Sequence, residues 1–191
     1  MSFYEKIENN FKNSLGDKYN GEKLFTKATD EQLDELRNLI GDNASAFIDF
    51  YANLQPYNLS MMNCYASLCD IQHIIEENIE LAPGAYLSKL GIFVFGVTIG
   101  GNSVCIDTNN MQNGDPCVLI IDQSFLYCDE DDDEVEIANL PSYIDESKLS
   151  NEDYEFTYEN VRKFVYKMED RFTDFIEKFS RDEYEDLESF I

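Results

Sequence analysis

Residues 92–107 read IFVFGVTIGGNSVCID, and the fold turns on them. Ile92 to Ile99 is a β-branched and aromatic run, Gly100-Gly101-Asn102 is a turn, and Ser103 to Asp107 resumes the apolar alternation. That pattern predicts an antiparallel hairpin, with Gly101 in a turn that needs positive φ and Ile106 pointing inward. The Asn-rich segment Thr108 to Pro116, containing Asn113-Gly114-Asp115-Pro116, returns the chain. It leads to Cys117 to Asp122, whose Val118, Leu119, Ile120 and Ile121 predict a third strand buried on at least one face.

Outward from this sheet the periodicity turns helical. Phe3, Ile7, Phe11 and Leu15 recur every four residues. Thr29 with Gln32 makes a capping box for a helix over about residues 30–40, stopped at Gly41. Asn43 reads as the cap of a further helix carrying Phe47, Phe50, Tyr51 and Leu54 before Pro56, and Asp70 to Asn78 predicts a short docked helix. Near the C-terminus Val161, Phe164, Val165, Met168, Phe172, Phe175, Ile176 and Phe179 hold a helical period. The expectation is one continuous amphipathic helix from Thr157. Together these elements define an α+β domain with a single antiparallel sheet and helices packed on it.

The chain has 191 residues, with 39 Asp plus Glu against 14 Lys plus Arg, for a net charge of -25. Such a charge excludes a conventional nucleic-acid binder, which needs clustered cations to displace counterions from phosphates. At 43% hydrophobic and 14% aromatic the chain is too apolar to stay disordered, and its length suits one domain. No run approaches the roughly 20 apolar residues of a membrane span, and Met1 to Lys12 lacks a secretory h-region, so the mature protein is expected to begin here. Five cysteines, an odd number without a C-x-x-C pair, predict free thiols in a reducing cytoplasm. Residues 129–136, Asp129, Glu130, Asp131, Asp132, Asp133, Glu134, Val135 and Glu136, hold seven acids in eight positions and predict a solvated loop.

Catalytic patterns are sparse. Any Ser-His-Asp or Cys-His scheme must use His73, the one histidine, and nothing at catalytic spacing accompanies it. Zinc would need ligands gathered from four separate segments. An EF-hand loop fails from Asp129, where the sixth residue is Glu134 and the twelfth Leu140, and from Asp107, where they are Gln112 and Val118. Gly100-Gly101 is followed by a strand, so it is no phosphate loop. Asp107 and Asp122, at strand ends, are the acids to examine for a raised pKa of the kind a hydrolase uses. No metal or cofactor is expected.

In this order of elements the chain resembles the SUKH superfamily over about residues 29–180. Leu36 to Tyr57 (LRNLIGDNASAFIDFYANLQPY) is similar to the family's helix pair, and Leu68 to Asn78 (LCDIQHIIEEN) to its connecting helix. Gly101-Asn102-Ser103-Val104-Cys105-Ile106 matches its G-x-x-x-x-I hairpin signature, followed by Asp107, and Phe172 to Ile176 (FTDFI) is similar to its closing helix. The resemblance implies residues 1–28 as a helical extension, 29–180 as the domain with an acidic insertion at 129–136, and 181–191 as a helical tail. It also implies binding without catalysis. Members of the family are mostly immunity proteins that neutralise toxin domains, often nucleases, and others act as regulators or adaptors. The expected partner is a protein, a basic toxin domain first, with a regulatory adaptor role next and a hydrolase last. Neither nucleic acid nor membrane is an expected partner. The residues expected to meet the partner are Tyr57, Asn102, Asp107 and the acids of 129–136, because complementary charge speeds encounter.

Overall fold

The computed structural model describes residues 1–57, 66–129, 134–184 and 187. Its elements run α1 (Phe3–Leu15), β1 (Phe25–Thr26), α2 (Asp30–Ile40), α3 (Ser45–Asn53), β2 (Gln55–Pro56), β3 (Ala66–Leu68), α4 (Ile71–Ile79) and α5 (Gly84–Leu87). There follow β4 (Ile92–Thr98), β5 (Ser103–Gln112), β6 (Asp115–Ile121), β7 (Leu126–Asp129), β8 (Glu134–Ile137), α6 (Tyr158–Phe164), β9 (Tyr166–Glu169) and α7 (Phe172–Ser180). The fold is α+β: a five-stranded sheet in the order β3-β4-β5-β6-β9, each pair antiparallel, with helices against it.

The hairpin at 92–107 forms as its sequence dictates, with Gly101 at φ +90°. Side-chain alternation then sorts the sheet into two faces. Phe93, Phe95, Val104, Ile106, Val118 and Ile120 point into the larger core, shared with α1, α2, α3, α4 and α7. Ile92, Val94, Cys105, Cys117, Leu119 and Ile121 point into a second core closed by Leu87, Phe125, Ile137, Val161 and Phe164. With both faces covered, every residue of β6 is buried. The third strand is central, which is why it reads as an unbroken apolar run.

Two expectations are corrected. The strand opened at Ser103 does not end at Asp107: β5 runs on to Gln112, and Asn113 (φ +55°) with Gly114 (φ +81°) closes a tight hairpin into β6. Asn-Gly suits such a two-residue turn because both positions need positive φ. The expected long C-terminal helix is three elements. α6 buries Val161 and Phe164 in the second core, β9 pairs with β6, and α7 buries Phe172, Phe175, Ile176 and Phe179 in the larger core. The chain crosses from one face of the sheet to the other here, and β9 supplies the backbone partners that the edge of a buried β6 requires and a helix cannot. The N-terminal helix α1 packs on the larger core. Ile7, Phe11 and Leu15 lie in the larger core, the Phe11 ring meets Phe179 at 5.9 Å, and Lys6 and Asn10 bond Glu177 and Ser180 of α7. At the other end Leu187 joins the same core.

α3 is also capped differently from the expected Asn43. Its N-cap position is Ala44, without a side-chain bond, and the Ala46 N–H donates to the Gly114 carbonyl at the β5–β6 turn. No described helix is long and apolar enough to cross a membrane.

Candidate functional site

Of the residues expected to meet a partner, two are internal. Asn102 is buried, and its Oδ1 accepts the Gln123 N–H at 3.0 Å, holding the β4–β5 turn against the end of β6. Asp107 is fully buried in the second face of the sheet. Its Oδ2 accepts the Tyr158 hydroxyl at 3.0 Å and lies 3.1 Å from Arg162 Nε, and its Oδ1 accepts the Asn109 N–H. Burial, then this hydrogen bond to Asp107, pushes the Tyr158 hydroxyl up to about 12. Ile106 is core, as the alternation along β5 requires.

The acidic stretch is not all loop. Asp129 ends β7, and Glu134 and Glu136 lie in β8, paired across a hairpin as Asp129↔Glu134 and Tyr127↔Glu136. Glu136 and Tyr127 are exposed. Glu130, Asp131, Asp132 and Asp133 lie outside the described residues. Asp122, the other candidate acid, accepts from the Ser124 N–H and hydroxyl. It borders a recess of only about 10 Å³, room for one water at most.

Tyr57 is 68% exposed and opens a recess of about 310 Å³ bounded by Cys69, Asp70, His73, Glu77 and Val97. Asp70 caps α4 through the His73 N–H, and the His73 ring Nδ1 lies 2.9 Å from the same carboxylate oxygen. The hydrogen bond to Asp70 and its charge raise the His73 pKa, whereas burial pushes the Cys69 thiol up to about 12. Cys69 is therefore a protonated thiol at neutral pH and is not activated by its histidine neighbour. Burial also pushes Cys117 up to about 11 and Cys105 higher still. Among the described residues no group of three or more His, Cys, Asp or Glu is placed to hold a metal ion.

A further concavity lies on the opposite flank of α4, a groove of about 760 Å³ between α2 and α4. Glu31, Glu35 and Leu39 of α2 form one wall at i, i+4 and i+8; Gln72, Ile75 and Ile79 of α4 form the other at i, i+3 and i+7. Gln32 and Asn38 complete the lining. Leu39 and Ile75 are half-buried and packed on the larger core, whereas Ile79 is 59% exposed. The groove thus has an apolar floor and an acidic rim, with no basic residue among the described residues of its lining. α2 is held by the Thr29–Gln32 capping box and α4 by Asp70, so both walls are pinned at their N-termini.

Sequence reasoning had not singled out this groove. The signal was present as excess apolar width: α2 buries Leu33, Leu36 and Ile40, and Leu39 falls beside that stripe; α4 buries Ile71 and Ile74, and Ile75 and Ile79 fall beside it. A scan against protein families and searches of curated proteins and solved structures found no match to this chain.

Proposed function

We propose that this chain is a non-catalytic protein-binding module for a basic partner, acting as an immunity protein of the SUKH kind that covers a toxin domain, a nuclease being the leading class. The observation that carries the reading is the pairing of a net charge of -25 with an apolar-floored, acid-rimmed groove on a folded body. A nuclease must hold phosphates, so its working surface is basic, and an acidic binder both finds it quickly and competes with nucleic acid for it. Free thiols at Cys69, Cys105 and Cys117 support a reducing, cytoplasmic setting.

The test is co-purification of the tagged chain from its host, followed by reconstitution of the pair from purified components and assay of the partner's activity. Inhibition of a nuclease or other toxin at micromolar concentration or below supports the reading. A stoichiometric partner without toxic activity would replace immunity with adaptor function. Turnover of a substrate by the isolated chain would overturn the binding reading altogether.

A further inference from the structure

Resting on the binding reading, we infer that the α2/α4 groove receives an amphipathic α-helix of the partner, apolar on the face that meets Leu39, Ile75 and Ile79 and bearing Lys or Arg on the side that meets Glu31 and Glu35. The walls of the groove are helices, whose backbone groups are already bonded within each helix. An extended segment laid here would find no N–H or C=O to pair with, as strand addition requires a sheet edge. A helix brings its own satisfied backbone and contributes only side chains, and apolar residues at i, i+3, i+4 and i+7 match a groove lined in helical steps.

Charge selects the class of helix. The acids on the groove wall, Glu31 and Glu35, sit one turn apart on α2. Arg37, the basic residue near the end of α2, pairs with Asp34, and no Lys or Arg is among the described residues of the groove lining. A second copy of this chain would bring the same net charge of -25 and be repelled. The apolar contribution comes chiefly from Ile79, a large aliphatic side chain left in water at the groove's end. Covering it is favourable by the ordinary transfer of apolar surface.

The probe is a fluorescein-labelled peptide of about 18 residues, long enough to form a helix, with Leu at i, i+3, i+4 and i+7 and Lys elsewhere. Its control replaces each Leu by Ala and keeps the charge. Anisotropy with the full chain at about 0.15 M salt should show the Leu/Lys peptide binding at least tenfold tighter than the Ala/Lys control. Ile79→Glu and, separately, Glu31→Lys/Glu35→Lys should each weaken it about tenfold. These positions are exposed, and circular dichroism melting of each variant checks that it folds. Equal binding of the two peptides would reduce the effect to general acidity and overturn the groove assignment. So would wild-type affinity in either variant, or self-association of the chain lost on Ile79→Glu. Failure here is separable from failure of the binding reading. A co-purified partner that keeps its affinity for Glu31→Lys/Glu35→Lys removes the groove and leaves the module. Peptide binding without any co-purified partner does the reverse.

Discussion

Asp107 shows how a residue that looks like surface chemistry in sequence becomes internal architecture. Its carboxylate, fully buried, is met by the Arg162 guanidinium, the Tyr158 hydroxyl and the Asn109 N–H, so α6 is fastened to the second face of the sheet through one side chain. Removing one partner of a buried pair strands the other. Asp107→Ala should therefore destabilise the chain by about 3–5 kcal/mol in urea unfolding, and a loss under about 1 kcal/mol would show that the pair is not structural. His73 is the opposite case, with 66% of its side chain exposed beside Asp70. The bond and charge of Asp70 favour the protonated ring and raise its pKa above the usual 6.5. Stability from this pair is thus fully present below about pH 6.5 and is lost as pH rises through the raised folded value. Both groups meet solvent, so the effect on stability is small. The chemical shift of His73 by NMR should titrate above 6.5 in the wild type and move back toward that value in Asp70→Asn. An unchanged midpoint in the mutant would refute the pairing.

Among the elements, the β5–β6 turn does work that no local pattern announces. The Gly114 carbonyl accepts from the first turn of α3, and the Asp115 carboxylate accepts from the Thr173 N–H at 3.1 Å and from the Thr173 hydroxyl in the first turn of α7. One hairpin end thereby caps two helices that have no side-chain cap of their own. Asp115→Ala should cost about 1–2 kcal/mol and speed hydrogen exchange at the Thr173 amide, and unaltered exchange there would discard the capping role. A side chain at position 114 faces the left-handed backbone and meets Ser45 Oγ and the Asn43 carbonyl, so Gly114→Ala should destabilise the same corner. This is where legibility in the sequence ends. α1, α2 and α4 were readable because their stripes and the Thr29–Gln32 box are local, and the 92–107 hairpin because β-branched runs flank a glycine turn. The break in residues 157–179 was not, because a helical period across Val161 to Phe179 is the same whether one stripe faces one core or two short helices face opposite sides of a sheet. Only pairing of β9 with β6, distant in sequence, decides it. The groove was hidden for the same reason: its walls belong to two helices separated by α3, β2 and β3.

At the scale of the whole molecule the question is where the net charge of -25 acts. Many of the basic residues are spent internally: Lys6, Arg162, Lys163, Lys178 and Arg181 each face an acid of this chain. The excess of acids over bases keeps the outward field acidic. Two places bear on recognition: the groove wall at Glu31 and Glu35, and the β7–β8 pair, whose Glu136 is exposed and whose sequence from Asp129 to Glu134 is wholly acidic. Their roles separate by kinetics. A group that buries apolar surface in the complex sets how long the complex lasts, whereas charge beyond the contact sets how often it forms. Converting Asp131, Asp132 and Asp133 to Asn should therefore lower the association rate with the reconstituted partner at low salt. The difference should close as the Debye length falls from about 10 Å at 0.1 M to about 3 Å at 1 M. Dissociation should stay as in the wild type, while Ile79→Glu should speed dissociation and leave association nearly untouched. Stopped-flow measurement of both variants decides it: an association rate for the triple mutant equal to the wild type's at low salt would reduce these three acids to solvation, and leave recognition to the groove.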